Sequence, residues 1–232
     1  MTDQLKEGFA RFRQKDGMYG DDGIMPGLVQ NGQQPDYFVI SCMDSRSAPA
    51  TIFDAAPGTM FAHKPMGAMV PPYNPENKEN DLAAKLRYAL HHVGVSKIIV
   101  VGHSHCGAVK ALANKIDEPE IMHWVNTAKK ANARARAVMR ITKEFDNAAL
   151  LRETERQVVR LSVENLTTYP AVREAMAEGK VEIRGWLFEM EHGNLFEYDP
   201  ASKGFKQVFD YNADQIGSAV PDCDHEGHEA RL

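Results

Sequence analysis

Lys97-Ile98-Ile99-Val100-Val101-Gly102-His103-Ser104-His105-Cys106-Gly107 is the stretch from which the rest of the chain can be read. Ile98 to Val101 are apolar without alternation, which marks a strand buried on both faces, as in a parallel sheet. Gly102 is expected to break that strand, and a helix to begin near Gly107. Between them stands His-x-x-Cys on a tight turn, able to aim an imidazole and a thiolate at one point, and zinc favours both. Alone the pair carries little weight, because a lone cysteine is usually a small buried hydrophobe.

A second buried run, Tyr37-Phe38-Val39-Ile40, changes that weight. It ends at Ser41-Cys42 and leads into Met43-Asp44-Ser45-Arg46. In open α/β sheets, ligands gather at the carboxyl ends of the strands, and both motifs fall at such ends. Cys42, His103 and Cys106 together make three ligands and leave a fourth position for water, the pattern of a catalytic rather than a structural zinc site. Asp44 and Arg46 form a layer behind them. The carboxylate can reach the metal or its water, and the guanidinium can hold it in a two-pronged pair. The competing reading, a surface salt bridge of little consequence, is disfavoured by the closeness to Cys42.

Outward from these strands the chain alternates. Residues 2–15 carry Leu5, Phe9 and Phe12 at helical spacing. Residues 17–34, rich in Gly, Asp and Pro, are expected to be irregular. Met60 to His63 reads as a strand, and 71–80 as a loop. A helix capped by Asn80 or Asp81 runs towards His92 and stops at Gly94. Residues 118–145 read as one long helix, 151–167 as another that stops before Pro170, and a short one ends at Gly179. Val181 to Met190 and Leu195 to Tyr198 read as strands joined at Gly193-Asn194. This order predicts an α/β fold, with a mainly parallel central sheet flanked by helices and an N-terminal helical arm.

The 232 residues suit one domain, with 1–34 as arm and loop and 211–232 as a flexible tail. A net charge of -5 lacks the clustered basic field that nucleic acid requires. No run approaches the roughly 20 apolar residues of a membrane span, and charges interrupt the N-terminus too early for a signal peptide. The reading is therefore a soluble cytoplasmic protein with no nucleic-acid or membrane partner. Three cysteines, an odd number, do not suggest a disulfide framework.

Cys-x-Asp-Ser-Arg at 42–46 followed by His-x-x-Cys at 103–106 resembles the β-class carbonic anhydrases. Gly-His-Ser-x-Cys-Gly at 102–107, Val-Pro-Pro-Tyr at 70–73 and Asn-Leu-x-Thr-Tyr-Pro at 165–170 look like its plant-type branch. The likeness spans about residues 30–200. It implies one Zn2+ per subunit on Cys42, His103 and Cys106, with Asp44 pairing with Arg46 or serving as fourth ligand in a closed state. It implies reversible hydration of carbon dioxide to bicarbonate by zinc-bound hydroxide. Substrate would be lined by Gln33, Phe61, Met66, Tyr88 and Gly107. A homodimer or higher homo-oligomer, with the N-terminal helix reaching over the partner, is implied too. His63, His91, His92, His105 and Tyr88 are all possible proton shuttles, and residue type does not choose among them.

Two positions depart from the family pattern. Lys64-Pro65 stands where Arg-Asn is usual, and Arg87 where Glu often precedes the tyrosine. Lys does not copy the fork of Arg, Pro65 removes a backbone donor, and Lys64 and Arg87 would repel if adjacent. The same site could therefore hydrolyse carbonyl sulfide or carbon disulfide, or the chain could be a zinc-bearing homologue without turnover. The segment Asp222-Cys223-Asp224-His225-Glu226-Gly227-His228 offers ligand types for a second metal, against the simpler reading of a polar tail.

Overall fold

A computed structural model describes residues 3–114, 116–143 and 146–209. Among the described residues six strands form one sheet: β1 (Tyr37–Ser41), β2 (Met60–His63), β3 (Lys97–His103), β4 (Glu182–Glu189), β5 (Asn194–Asp199) and β6 (Gly204–Gln207), in the order β2-β1-β3-β4-β5-β6. The first four are mutually parallel, and β5 and β6 add antiparallel strands at one edge. The mainly parallel α/β sheet predicted from the sequence is thus observed. β6, which the sequence pattern did not mark, is half exposed and short.

β1 and β3 are apolar on both sides because both faces are covered. Phe38, Ile40, Ile98 and Val100 face one core with Leu82, Leu86, Leu166 and Tyr169. Val39, Ile99 and Val101 face the other way, towards Phe53, Met60 and Trp186. A third cluster sits past the strand ends and includes Cys42, Cys106, Val109, Leu112 and Val158.

The helices are α1 (Gln4–Gln14), α2 (Ile24–Asn31), α3 (Pro49–Ile52), α4 (Asp81–Tyr88), α5 (Gly107–Asn114), α6 (Pro119–Val125), α7 (Lys129–Thr142), α8 (Asn147–Leu166) and α9 (Pro170–Ala177). Asn80 caps α4 by accepting the Ala83 N–H at 3.0 Å. A wider π-helical turn, Ala89–Val93, continues it to Gly94, whose φ of 86° closes the helix. Among the described residues, no helix is long and apolar enough to cross a membrane.

Three local expectations are corrected. The segment 17–34 is not irregular throughout, since α2 occupies its second half. The long helix expected over 118–145 is divided into α6, a 3-10 turn at Asn126–Ala128 and α7. Gly102 does not break β3, which continues to His103. A Cβ at Gly102 would lie 2.4 Å from Cγ2 of Val159 on α8, and one at Gly185 on β4 would lie 2.9 Å from Cγ1 of the same residue. These glycines let α8 approach the sheet closely, and that contact fixes the wall of the site. The tail motif at 222–228 lies outside the described residues.

Candidate metal centre

β1 and β3 are neighbours in register, Ser41 beside Val101, so Cys42 leaves the sheet next to the turn that carries His103 and Cys106. The Sγ atoms of Cys42 and Cys106 and a ring nitrogen of His103 all lie within 4.8 Å of one another. All three residues are buried, at 4%, 4% and 2% exposure. Nδ1–H of His103 donates to the Ser104 carbonyl at 2.8 Å, which leaves the lone pair on Nε2. That Nε2 is buried and has no hydrogen-bond partner. A buried imidazole nitrogen without a partner is costly, and facing two sulfurs it is explained by a cation. The donor set, two thiolates and one imidazole, suits Zn2+.

The sulfurs are already arranged to share one proton. A hydrogen bond from Cys106 lowers Cys42 to about 4, outweighing the burial that opposes ionisation. The same bond to Cys42, with burial, pushes Cys106 up. The backbone N–H of Gly67 also donates to Cys42 Sγ, at 3.2 Å.

Asp44 accepts from Arg46 at three points: Nε at 3.0 Å, Nη2 at 2.8 Å and the backbone N–H at 2.9 Å. Its Oδ2 stands 3.9 Å from His103 Nε2. The Arg46 side chain holds the Asp44 carboxyl down at about 2 against modest burial, so it is ionised at neutral pH. Nη2 of Arg46 also donates to the His105 carbonyl at 3.3 Å, which ties the two strand-end motifs together.

The turn itself is strained and held. His105 takes a positive φ of 55°, uncommon for a residue with a side chain. Ser104 Oγ donates to Glu191 at 2.7 Å and accepts the Met190 N–H at 2.9 Å. His105 Nε2 pairs with the other Glu191 oxygen. Glu155, on α8, accepts the Cys106 N–H at 3.1 Å. Neither Glu191 nor Glu155 was legible as a site residue, since both lie far from the motifs in sequence.

The segment that carries Gly67 is fastened to α8. Ser162 Oγ donates to the Ala68 carbonyl and accepts the Val70 N–H, both at 3.1 Å. Asn165 donates to the Val70 carbonyl at 2.7 Å, Thr168 Oγ1 accepts the Tyr73 N–H at 2.8 Å, and Tyr169 Oη donates to the Pro71 carbonyl at 3.1 Å. The motifs at 70–73 and 165–170 are thus two sides of one contact.

The expected pocket residues divide. Met66 packs against the cluster that holds both cysteines, and its carbonyl accepts the Trp124 indole N–H at 2.9 Å. Gly107 opens α5 immediately after Cys106. Gln33, Phe61 and Tyr88 lie elsewhere. Phe61 pairs with Phe38, four residues short of Cys42, about 13 Å along a strand. Its ring is 6.2 Å from Tyr88. Gln33 and Tyr88 line a separate open cleft of about 610 Å³, together with Leu28, Val29, Pro57 and His92.

Among the shuttle candidates, His92 stacks on Tyr88 at 5.9 Å. His91 Nε2 is 3.2 Å from the Ala171 carbonyl. His63 lies 3.8 Å from Asp81, and burial lowers its pKa. Arg87 pairs with a carboxylate. Its guanidinium donates to both oxygens of Glu174 on α9, at 2.5 and 3.0 Å, so the cation at this position has an anion of its own.

Residues 37–195 match the family model described as carbonic anhydrase. This chain belongs to the β-carbonic anhydrase family. It is 31% identical over 208 residues to a carbonic anhydrase of Pseudomonas aeruginosa, covering 88% of this chain and 91% of that one. It is 32% identical over 203 residues to the enzyme of Synechococcus elongatus, covering 86% and 72%. The solved β-carbonic anhydrase CcaA superposes with a TM-score of 0.77 at 28% identity, covering 88% of this chain and 98% of that one. A structure from a study of two tetrameric β-carbonic anhydrases of Sordaria macrospora gives 0.71 at 26%, covering 83% and 93%. The family, fold and enzyme class implied by the motifs therefore stand.

Proposed function

We propose that this protein catalyses the reversible hydration of carbon dioxide to bicarbonate, with one Zn2+ per subunit on Cys42, His103 and Cys106. The observation that carries the reading is the convergence of those three ligand atoms beside an ionised Asp44. Bound there, zinc supplies a nucleophile at neutral pH, by lowering the pKa of a coordinated water from about 15.7 towards 7.

The chain's own residues do the rest. Arg46 occupies both oxygens of Asp44, keeping the carboxylate ionised and beside His103 rather than among the ligands. From that position Asp44 accepts a hydrogen bond from the attacking group and orients it. The Gly67 N–H stabilises the Cys42 thiolate, and the apolar wall around Met66 limits access of bulk water. Released from Arg46, the same carboxylate would be the residue able to complete the ligand set around a bound metal.

The functional unit in this reading is a homo-oligomer. Leu5 and Phe9 on α1 and Val29 on α2 are 84%, 61% and 82% exposed, apolar surface that suits burial against a second copy. Gln33 and Tyr88 line a cleft that includes none of this chain's three ligands, and Phe61 pairs with Phe38, four residues before Cys42, so the part they take in catalysis is read as one played towards a neighbouring subunit. The relatives described as tetrameric agree with such assembly.

The test is stopped-flow carbon dioxide hydration on protein of assayed zinc content, at pH 7 and above 8. Fast turnover that rises with pH is expected. Stoichiometric zinc without hydration at either pH would overturn the proposed activity.

A further inference from the structure

Glu155 is 6% exposed and projects from the core-facing side of α8, among Val158, Val159 and Ser162. A carboxyl group is seldom placed there unless something compensates its lost hydration. Its Oε1 meets a single backbone group, the Cys106 N–H, at 3.1 Å. That N–H has no other use. Cys106 is the residue before α5, where its carbonyl accepts the first helical bond from Lys110 N–H at 3.0 Å and its own N–H lies outside the helix ladder. Cys106 is itself 4% exposed, so water does not readily replace the missing partner.

We propose that Glu155 is a positioning residue for the metal centre: its buried carboxyl oxygen holds the Cys106 N–H and thereby sets the β3–α5 turn with Sγ directed at the ligand cluster. The inference rests on the metal reading above. The preceding residue, His105, is in the left-handed region, a conformation that persists only where its surroundings impose it. Arg46 holds the His105 carbonyl and Glu191 its ring, while Glu155 holds the next peptide N–H. The three contacts come from three different elements, so the turn is gripped from all sides. Beyond Glu155 lies a cavity of about 290 Å³ lined also by Cys106, Lys110, Leu151, Arg152 and Glu191. A shorter or apolar side chain would leave the turn room to relax into that space.

The acceptor and the charge can be separated. Glu155→Gln keeps an oxygen in place without charge. Glu155→Asp keeps the charge and withdraws the oxygen. Glu155→Met fills the volume with no strong acceptor. Zinc affinity is read by chelator competition, and ligand geometry by the thiolate-to-metal charge-transfer band of the cobalt-substituted protein. The expected result is near wild-type affinity and spectrum for Gln, with zinc binding weakened about 10–100-fold for Asp and Met and a shifted cobalt band. Wild-type affinity and spectrum in Asp and Met would overturn the proposal, as would a loss in Gln equal to that in Met. If Met does not fold, the Gln and Asp pair decides alone. Failure of the wild-type chain to bind zinc would instead overturn the metal reading itself.

Discussion

The turn at the end of β3 and the cleft between α2 and the end of α4 are built in opposite ways. In the turn, the ligands are nearly fully buried, and the Ser104 N–H, the His105 carbonyl and the Cys106 N–H each have a partner on another element. In the cleft, Tyr88 is 54% exposed and Val29 82% exposed, and the lining side chains come from loops and helix ends. One chain therefore completes its metal centre internally. Its outer cleft is, in the proposed reading, a surface that gains its function in an assembly. Buried polar contacts fix position because leaving one unmade is costly, whereas the exposed cleft has few such contacts to make.

The contrast is broken most severely by Cys42→Ala or His103→Ala. Each should lose zinc and activity together, read by metal analysis and hydration assay. Stoichiometric zinc in either variant would mean that the ligands are misassigned. Asp44→Asn should keep zinc and lower turnover by about 100-fold, the usual scale for losing a positioned proton acceptor.

Because Arg46 depresses the Asp44 pKa to about 2, the stabilisation it provides is complete above the ordinary carboxyl value near 4. It is lost only as pH falls from there towards 2. The pH–rate profile above pH 5 should therefore keep its inflection in Asp44→Asn, with a lower plateau. An inflection that moved would make Asp44 the titrating group.

Gly102→Ala tests the mount of the turn. Its Cβ meets Val159 at 2.4 Å, and overpacking of this kind costs about 1–3 kcal/mol, measurable by denaturant unfolding. Unchanged stability would show that α8 can yield without cost. The smallest effect is expected for Tyr88→Ala. Zinc should stay stoichiometric while kcat/KM falls about tenfold, on the order of 1.4 kcal/mol in barrier. A loss of zinc would join the cleft to the metal centre of the same chain.

The three candidate ligands and the Asp44–Arg46 pair were readable because each ends a buried strand or follows one within a few residues, and parallel strands deliver their C-terminal ends to one edge. Glu155, Ser162 and Glu191 were not, since a polar residue on a helix or in a hairpin turn looks like ordinary surface until its neighbour is known. The break at residues 126–128 was hidden for a related reason. Apolar spacing continues through it, and only the packing of α6 and α7 shows that the axis changes. Arg87 shows the reverse. Its charge looked discordant beside Lys64 when read along the chain, and Glu174, from a helix much later in sequence, resolves it.

By itself the sequence determined the sheet's apolar strands, the Cys–His–Cys set able to hold a metal and the family, because residue type and short spacing dictate all three. The tertiary structure alone decided which carboxylates grip the ligand turn, why Gly102 belongs inside a strand, and that Gln33, Phe61 and Tyr88 stand apart from the metal centre. Those outcomes depend on which distant segments meet, and contact between distant segments is set by packing of the whole chain rather than by any local pattern.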